Sequence, residues 1–69
     1  MTNTLRVRRA ERRLSQMALA DLAGLHHNRL WRIENEHAEP TTAERERISS
    51  ALQCDEAIVF PVAVDAVSA

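Results

Sequence analysis

In the run H-N-R-L-W-R-I-E, from His27 to Glu34, three polar side chains at positions 27, 28 and 32 carry the chemistry most informative about function. Asn28 offers a donor and an acceptor that pair bidentately with adenine. The Arg32 guanidinium presents the fork that matches guanine O6 and N7, and each such pair contributes about 1–3 kcal/mol of discrimination between bases. The same fork also fits a phosphate. His27 can donate to a phosphate or to guanine N7, and protonation would add positive charge to it. Arg29 and Trp31 flank this row and are counted with it as candidate DNA contacts. An exposed tryptophan here fits three uses: packing beside a dimer contact, covering the first helix, or lying against sugar-phosphate.

Other chemistry is poorly supplied. No phosphate-cradling glycine loop and no paired nucleophile and base occur, so no catalytic residue is expected. His26, His27, His37 and Cys54 are possible zinc donors. Adjacent histidines on a helix point in different directions, however, and neither C-x-x-C nor H-x-x-x-H spacing exists, so neither metal nor cofactor is expected. A single cysteine allows no internal disulfide, and Cys54 reads as the filler of a small apolar slot.

The polar row needs a rigid support. Leu19, Ala20 and Ala23 recur at helical spacing before Gly24, the only glycine, and Leu30 and Ile33 do so after it. Residues 15–34 therefore read as two amphipathic segments hinged at a glycine, the pattern of a helix-turn-helix with its second, recognition helix at about 27–34. Ser15 is a good N-cap for a helix from Gln16 to Ala23. Gly24 supplies a left-handed turn, and Leu25 packs inward.

A first helix is expected from Asn3 or Thr4 to Arg13, with Leu5, Ala10 and Leu14 inward. Asn35 to Pro40 reads as loop. Thr41 and Glu44 form the capping-box spacing T-x-x-E, opening a fourth helix that turns Ile48, Ala51 and Leu52 inward. Asp55 can cap a short fifth helix ending near Phe60 and Pro61. Five helices without a clear internal strand define an all-α domain over 1–61. In the tail, 62–69, Val62, Val64 and Val67 alternate with other residues, which fits either a short self-association strand or a frayed end.

Sixty-nine residues make one small domain. Such a chain hides only roughly 60% of its unfolded surface, so a partner surface would help it. No signal-peptide or membrane-span stretch appears, and a cytoplasmic location away from membranes is expected. The net charge of -1 conceals a split. Seven arginines (6, 8, 9, 12, 13, 29 and 32) against Glu11 and Asp21 give residues 1–32 a charge of +5. Residues 33–69 set Arg45 and Arg47 against eight carboxylates, giving -6. The basic half holds the polar row, and phosphate attraction follows the local field rather than the total. Charge runs of this kind also occur simply as solvated helix faces.

Arg9, L-S-Q at 14–16, L-A-x-x-A-G at 19–24, L-x-x-I-E at 30–34, Pro40, I-x-x-A-L at 48–52 and Val59-Phe60-Pro61 occur in one order. Over about residues 5–61 the chain resembles the Cro and phage-repressor (Xre-like) helix-turn-helix domains, which bacteria also use as stand-alone regulators. The resemblance implies a compact five-helix, lambda-repressor-like fold. It implies that Gln16 bonds a phosphate and braces the recognition helix, and that His27, Asn28 and Arg32 contact bases. It further implies that Arg9 and Glu34 form an internal salt bridge between the first and third helices.

This chain departs from that pattern at several positions. Arg13 stands where a glycine is usual, so the first turn is expected to close without that left-handed residue. His26 stands where a serine usually caps the recognition helix and is a poorer cap. Glu36 and His37 replace a glycine and a basic residue, with Glu39 following. Thr42 and Arg45 stand where leucines are common.

The leading expectation is a sequence-specific double-stranded DNA-binding transcriptional regulator, a repressor. It acts as a homodimer on a palindromic operator, with recognition helices in major grooves about 34 Å apart. The alternative is a protein-interaction module, or an antitoxin or adaptor of the same fold, with weak or partner-dependent DNA binding. No small-molecule effector is expected.

Overall fold

The computed structural model describes residues 3–61, and the alternating tail at 62–69 lies outside the described residues. Five helices follow in order: α1 (Leu5–Glu11), α2 (Gln16–Ala23), α3 (His27–Glu34), α4 (Thr42–Leu52) and α5 (Glu56–Val59). Among the described residues there is no strand, and the fold is all-α. Leu5, Leu19, Ala20, Ala23, Leu30, Ile33, Ile48, Leu52, Val59 and Phe60 form one buried cluster, with Leu14, Leu25, Ala38, Ala51 and Cys54 packed against it. Every helix contributes to this cluster. Truncating a large member such as Leu30 to alanine costs about 2–5 kcal/mol.

Local chemistry starts the helices. The Ser15 side chain accepts from Ala18 N at the head of α2. At α4 both arms of the capping box form: Thr41 Oγ1 accepts from Glu44 N at 3.1 Å, and Glu44 Oε1 accepts from Thr41 N at 2.8 Å. Asp55 occupies the N-cap of α5 without a side-chain bond. The start of α1 is stitched to distant elements instead. Asn3 Oδ1 accepts from Leu5 N, while its amide donates to Ile33 O at 2.9 Å. Thr4 N donates to Val59 O at 2.9 Å and Thr4 Oγ1 to Ile58 O at 2.8 Å.

The first four helices all end alike. After each, two successive amides turn back to carbonyls five and three residues earlier: Leu14 to Arg9 and Arg13 to Ala10, Leu25 to Ala20 and Gly24 to Asp21, His37 to Arg32 and Glu36 to Ile33, Cys54 to Ser49 and Gln53 to Ser50. This is the Schellman arrangement, which needs a left-handed residue at its pivot. Gly24 supplies it at φ 69°, whereas Arg13 (φ 55°), Glu36 (φ 61°) and Gln53 (φ 56°) adopt it with a side chain. The end of α1 corrects the reading of position 13: the turn closes through a left-handed arginine, because the two returning bonds outweigh a cost of about 1–2 kcal/mol. The helix is accordingly shorter than its apolar spacing suggests, and Ala10 is exposed rather than inward.

Candidate nucleic-acid interface

α3 is buried on one side by Leu30, Ile33 and Glu34, and exposes His27, Asn28, Trp31 and Arg32 on the other. Asn28, Trp31 and Arg32 stand three and four residues apart, so their side chains share one helix face. Arg32 makes no hydrogen bond to another described side chain, leaving its fork open. The helix begins at His26, whose Nδ1 accepts from Asn28 N at 3.1 Å. The replacement for serine is thus a working cap. Its ring stacks on that of His27, with centroids 4.6 Å apart and planes at 25°.

Arg29 stands apart from this row. Its Nε and Nη2 donate to the two Glu44 oxygens at 2.8 and 2.9 Å, and Nη2 also donates to Glu39 O at 3.0 Å. The guanidinium is turned back onto α4 and the loop before it. Donating these hydrogen bonds to the Glu44 carboxylate raises the Arg29 pKa. In sequence Glu44 reads only as half of a capping box; its second task lies fifteen residues from Arg29, beyond any local signal.

Glu34, the last residue of α3, has a side chain only 1% exposed. Its oxygens accept from Arg9 Nε at 3.1 Å and Arg9 Nη2 at 3.0 Å, with Arg6 Nε at 3.3 Å on the outside. Arg9 Nη1 reaches on to Leu14 O at 3.0 Å, fastening the α1–α2 turn to the same point. Burial alone would raise the Glu34 pKa, but Arg9, Arg6 and Gln16 together hold it below the ordinary carboxylate range. Gln16, half-buried in the first turn of α2, therefore lies beside the end of α3. α1, α2 and α3 converge on a single carboxylate.

Trp31, 47% exposed, lies flat against His37 of the following loop, with ring centroids 5.4 Å apart and planes at 9°. None of its three uses foreseen from sequence includes this partner. Beyond His37 the loop forms a shallow cleft with Asn3, Ile33, Pro40 and Phe60, bordered by Glu36 and Glu39. The polar row of α3 does not line it.

The charge split along the sequence does not survive folding intact. Of the seven arginines before position 33, Arg6, Arg8, Arg9 and Arg29 are paired with carboxylates. Glu34 and Glu44, which supply most of that pairing, come from the acidic half. Arg12 donates to the neutral Gln53 Oε1 at 2.9 Å, so Arg12, Arg13 and Arg32 are without an ion pair among the described residues. Arg45, at a position where leucine is common, ties α4 to α5 through Glu56 at 2.9 Å and bonds Pro40 O at 3.2 Å.

An exposed polar helix face carried by a second helix, with a glycine elbow between them, is the arrangement by which proteins present side chains to a DNA groove. Residues 1–59 match the model of the helix-turn-helix domain family, and the chain belongs to that family, a class of DNA-binding domains. No curated protein matches the chain. Among the described residues no helix is long and apolar enough to cross a membrane, and no group of three or more metal-ligating side chains occurs.

Proposed function

We propose that the chain is a sequence-specific transcriptional regulator of the Cro and phage-repressor type, a cytoplasmic repressor that binds a palindromic operator as a homodimer. The observation that carries this reading is the open row of His27, Asn28 and Arg32 on α3, whose inner face is fixed by Leu30, Ile33 and Glu34. Asn28 and Arg32 read base edges, and His27 contacts guanine N7 or a phosphate. Gln16 bonds a phosphate from the head of α2, and Trp31 lies along the sugar-phosphate edge with His37 behind it. Arg29 and the pair Arg9–Glu34 hold the helix rather than touch DNA. Domain 1–61 carries this work. Selection from random duplexes at low salt should enrich an imperfect palindrome with half-sites one helical turn apart; enrichment of no sequence would end this reading.

A second reading has its own observation in favour. With four N-terminal arginines paired internally and Glu36 and Glu39 beside the end of α3, few cations remain for phosphates. A protein-interaction module, or an antitoxin or adaptor that binds DNA only with a partner, suits that balance. Salt decides between the two. Several phosphate contacts per subunit make affinity fall steeply with salt, whereas a flat dependence with tight protein binding favours the module.

A further inference from the structure

The head of α3 rests on an imidazole in its neutral form. His26 Nδ1 accepts from Asn28 N at 3.1 Å, so that nitrogen must carry a lone pair and no proton. Protonation removes the acceptor and places a positive charge at the positive end of the α3 dipole. The charged and titratable groups around this turn come from α2, α3 and α4. His27 of the same helix is stacked on the ring. From α4, Arg47 Nη1 lies 3.7 Å from the point that a Cβ on Gly24 would occupy, two residues before His26. Glu44 of α4 is closed on Arg29. Asp21, in the last turn of α2, meets this turn through its backbone carbonyl, which accepts from Gly24 N. Among the described residues no carboxylate bonds His26.

Building on the DNA-reading role of α3, we propose that His26 is a positioning residue: its neutral ring holds the turn bearing His27 and Asn28, and acidification releases that turn. The cap is present while the His26 ring is neutral and is lost when Nδ1 takes up a proton. His27 and Asn28, two of the three side chains of the polar row, stand in the first turn while Arg32 stands in the last, so loosening the first turn weakens discrimination before the domain unfolds. Protonation of His27 acts in the opposite direction by adding attraction for phosphate, and the two effects separate by variant.

Two substitutions isolate the lone pair. His26→Ser keeps an acceptor that does not titrate, and His26→Phe keeps a ring for stacking but no acceptor. The first readout is hydrogen-exchange protection of the Asn28 amide, which needs no DNA. Between pH 7.5 and 5.5, wild type should lose about fivefold in protection, the size of one N-cap bond. The serine variant should remain protected throughout, and the phenylalanine variant should be unprotected throughout. Protection in wild type that does not change with pH, or that falls equally in His26→Ser, overturns the proposal. The second readout is affinity for the palindromic duplex recovered by selection. Wild type should lose discrimination between that duplex and a scrambled one on acidification, while His26→Ser retains it. If the amide pattern appears but no duplex is bound at any pH, the DNA-reading role fails and the cap stands alone.

Discussion

Arg29 and Glu44 meet fork to fork, Nε to Oε2 at 2.8 Å and Nη2 to Oε1 at 2.9 Å. The carboxylate also accepts from Thr41 N, so one side chain opens α4 and fastens it to α3. Hydrogen bonds from Arg29, opposed by desolvation and helped by Thr41, lower the Glu44 pKa from 4.5 to about 2. A carboxylate held lower when folded than when unfolded stabilises above its unfolded value and loses that contribution as pH falls through its folded one.

Glu44→Gln should therefore lower stability by about 2 kcal/mol at neutral pH, the scale of charge-assisted bonds to one partner. Its urea midpoint should approach that of wild type as pH drops from the unfolded carboxylate range, near 4.5, towards about 2. A gap that stays constant from pH 7 to 3 would assign the loss to shape rather than charge.

The two arginines on Glu34 are unequal. Arg9→Ala leaves a buried carboxylate without its bidentate partner and should cost about 3 kcal/mol in denaturant unfolding. Arg6, whose side chain is 71% exposed, makes the outer contact, and Arg6→Ala should cost under about 1 kcal/mol. Similar losses from both would mean that the outer arginine shares the carboxylate evenly.

At the end of α3, Glu36 holds a left-handed pivot that glycine takes without strain. Glu36→Gly should raise stability by about 1 kcal/mol, and Glu36→Ala should not. Both variants remove a carboxylate beside the proposed phosphate path, so both should bind duplex DNA more tightly. An affinity gain confined to the glycine variant would trace the effect to backbone relief instead of charge.

Arg32→Ala and Asn28→Ala should each flatten preference at one base position by about 1–3 kcal/mol in a competition between matched and mismatched duplexes. Gln16→Ala should weaken all duplexes alike. A uniform loss from Arg32→Ala would move that residue from base edge to phosphate.

How much was legible in the sequence depended on distance along the chain. Ser15, Gly24 and the Thr41–Glu44 box act over three or four residues, and their residue types alone announced where α2 begins and ends and where α4 begins. The residue types at the left-handed pivots Arg13, Glu36 and Gln53 carry no such sign, because returning backbone bonds hold a conformation that their side chains disfavour. The engagement of Arg29 by Glu44, and of Trp31 by His37, also lies outside local spacing. Counting charges along the sequence overestimated the positive field of the first half, since the acidic half folds back onto it through Glu34 and Glu44.

The stacked pair Trp31 and His37 has a practical consequence. The chain contains one tryptophan and no tyrosine, and that indole stands half-exposed on the outer face of α3. The protein's near-ultraviolet emission therefore comes from a single place, and that place is the surface in question. Any molecule that covers the outer face of α3, nucleic acid or protein, must change the solvent around this one fluorophore, so the unlabelled domain reports its own occupancy.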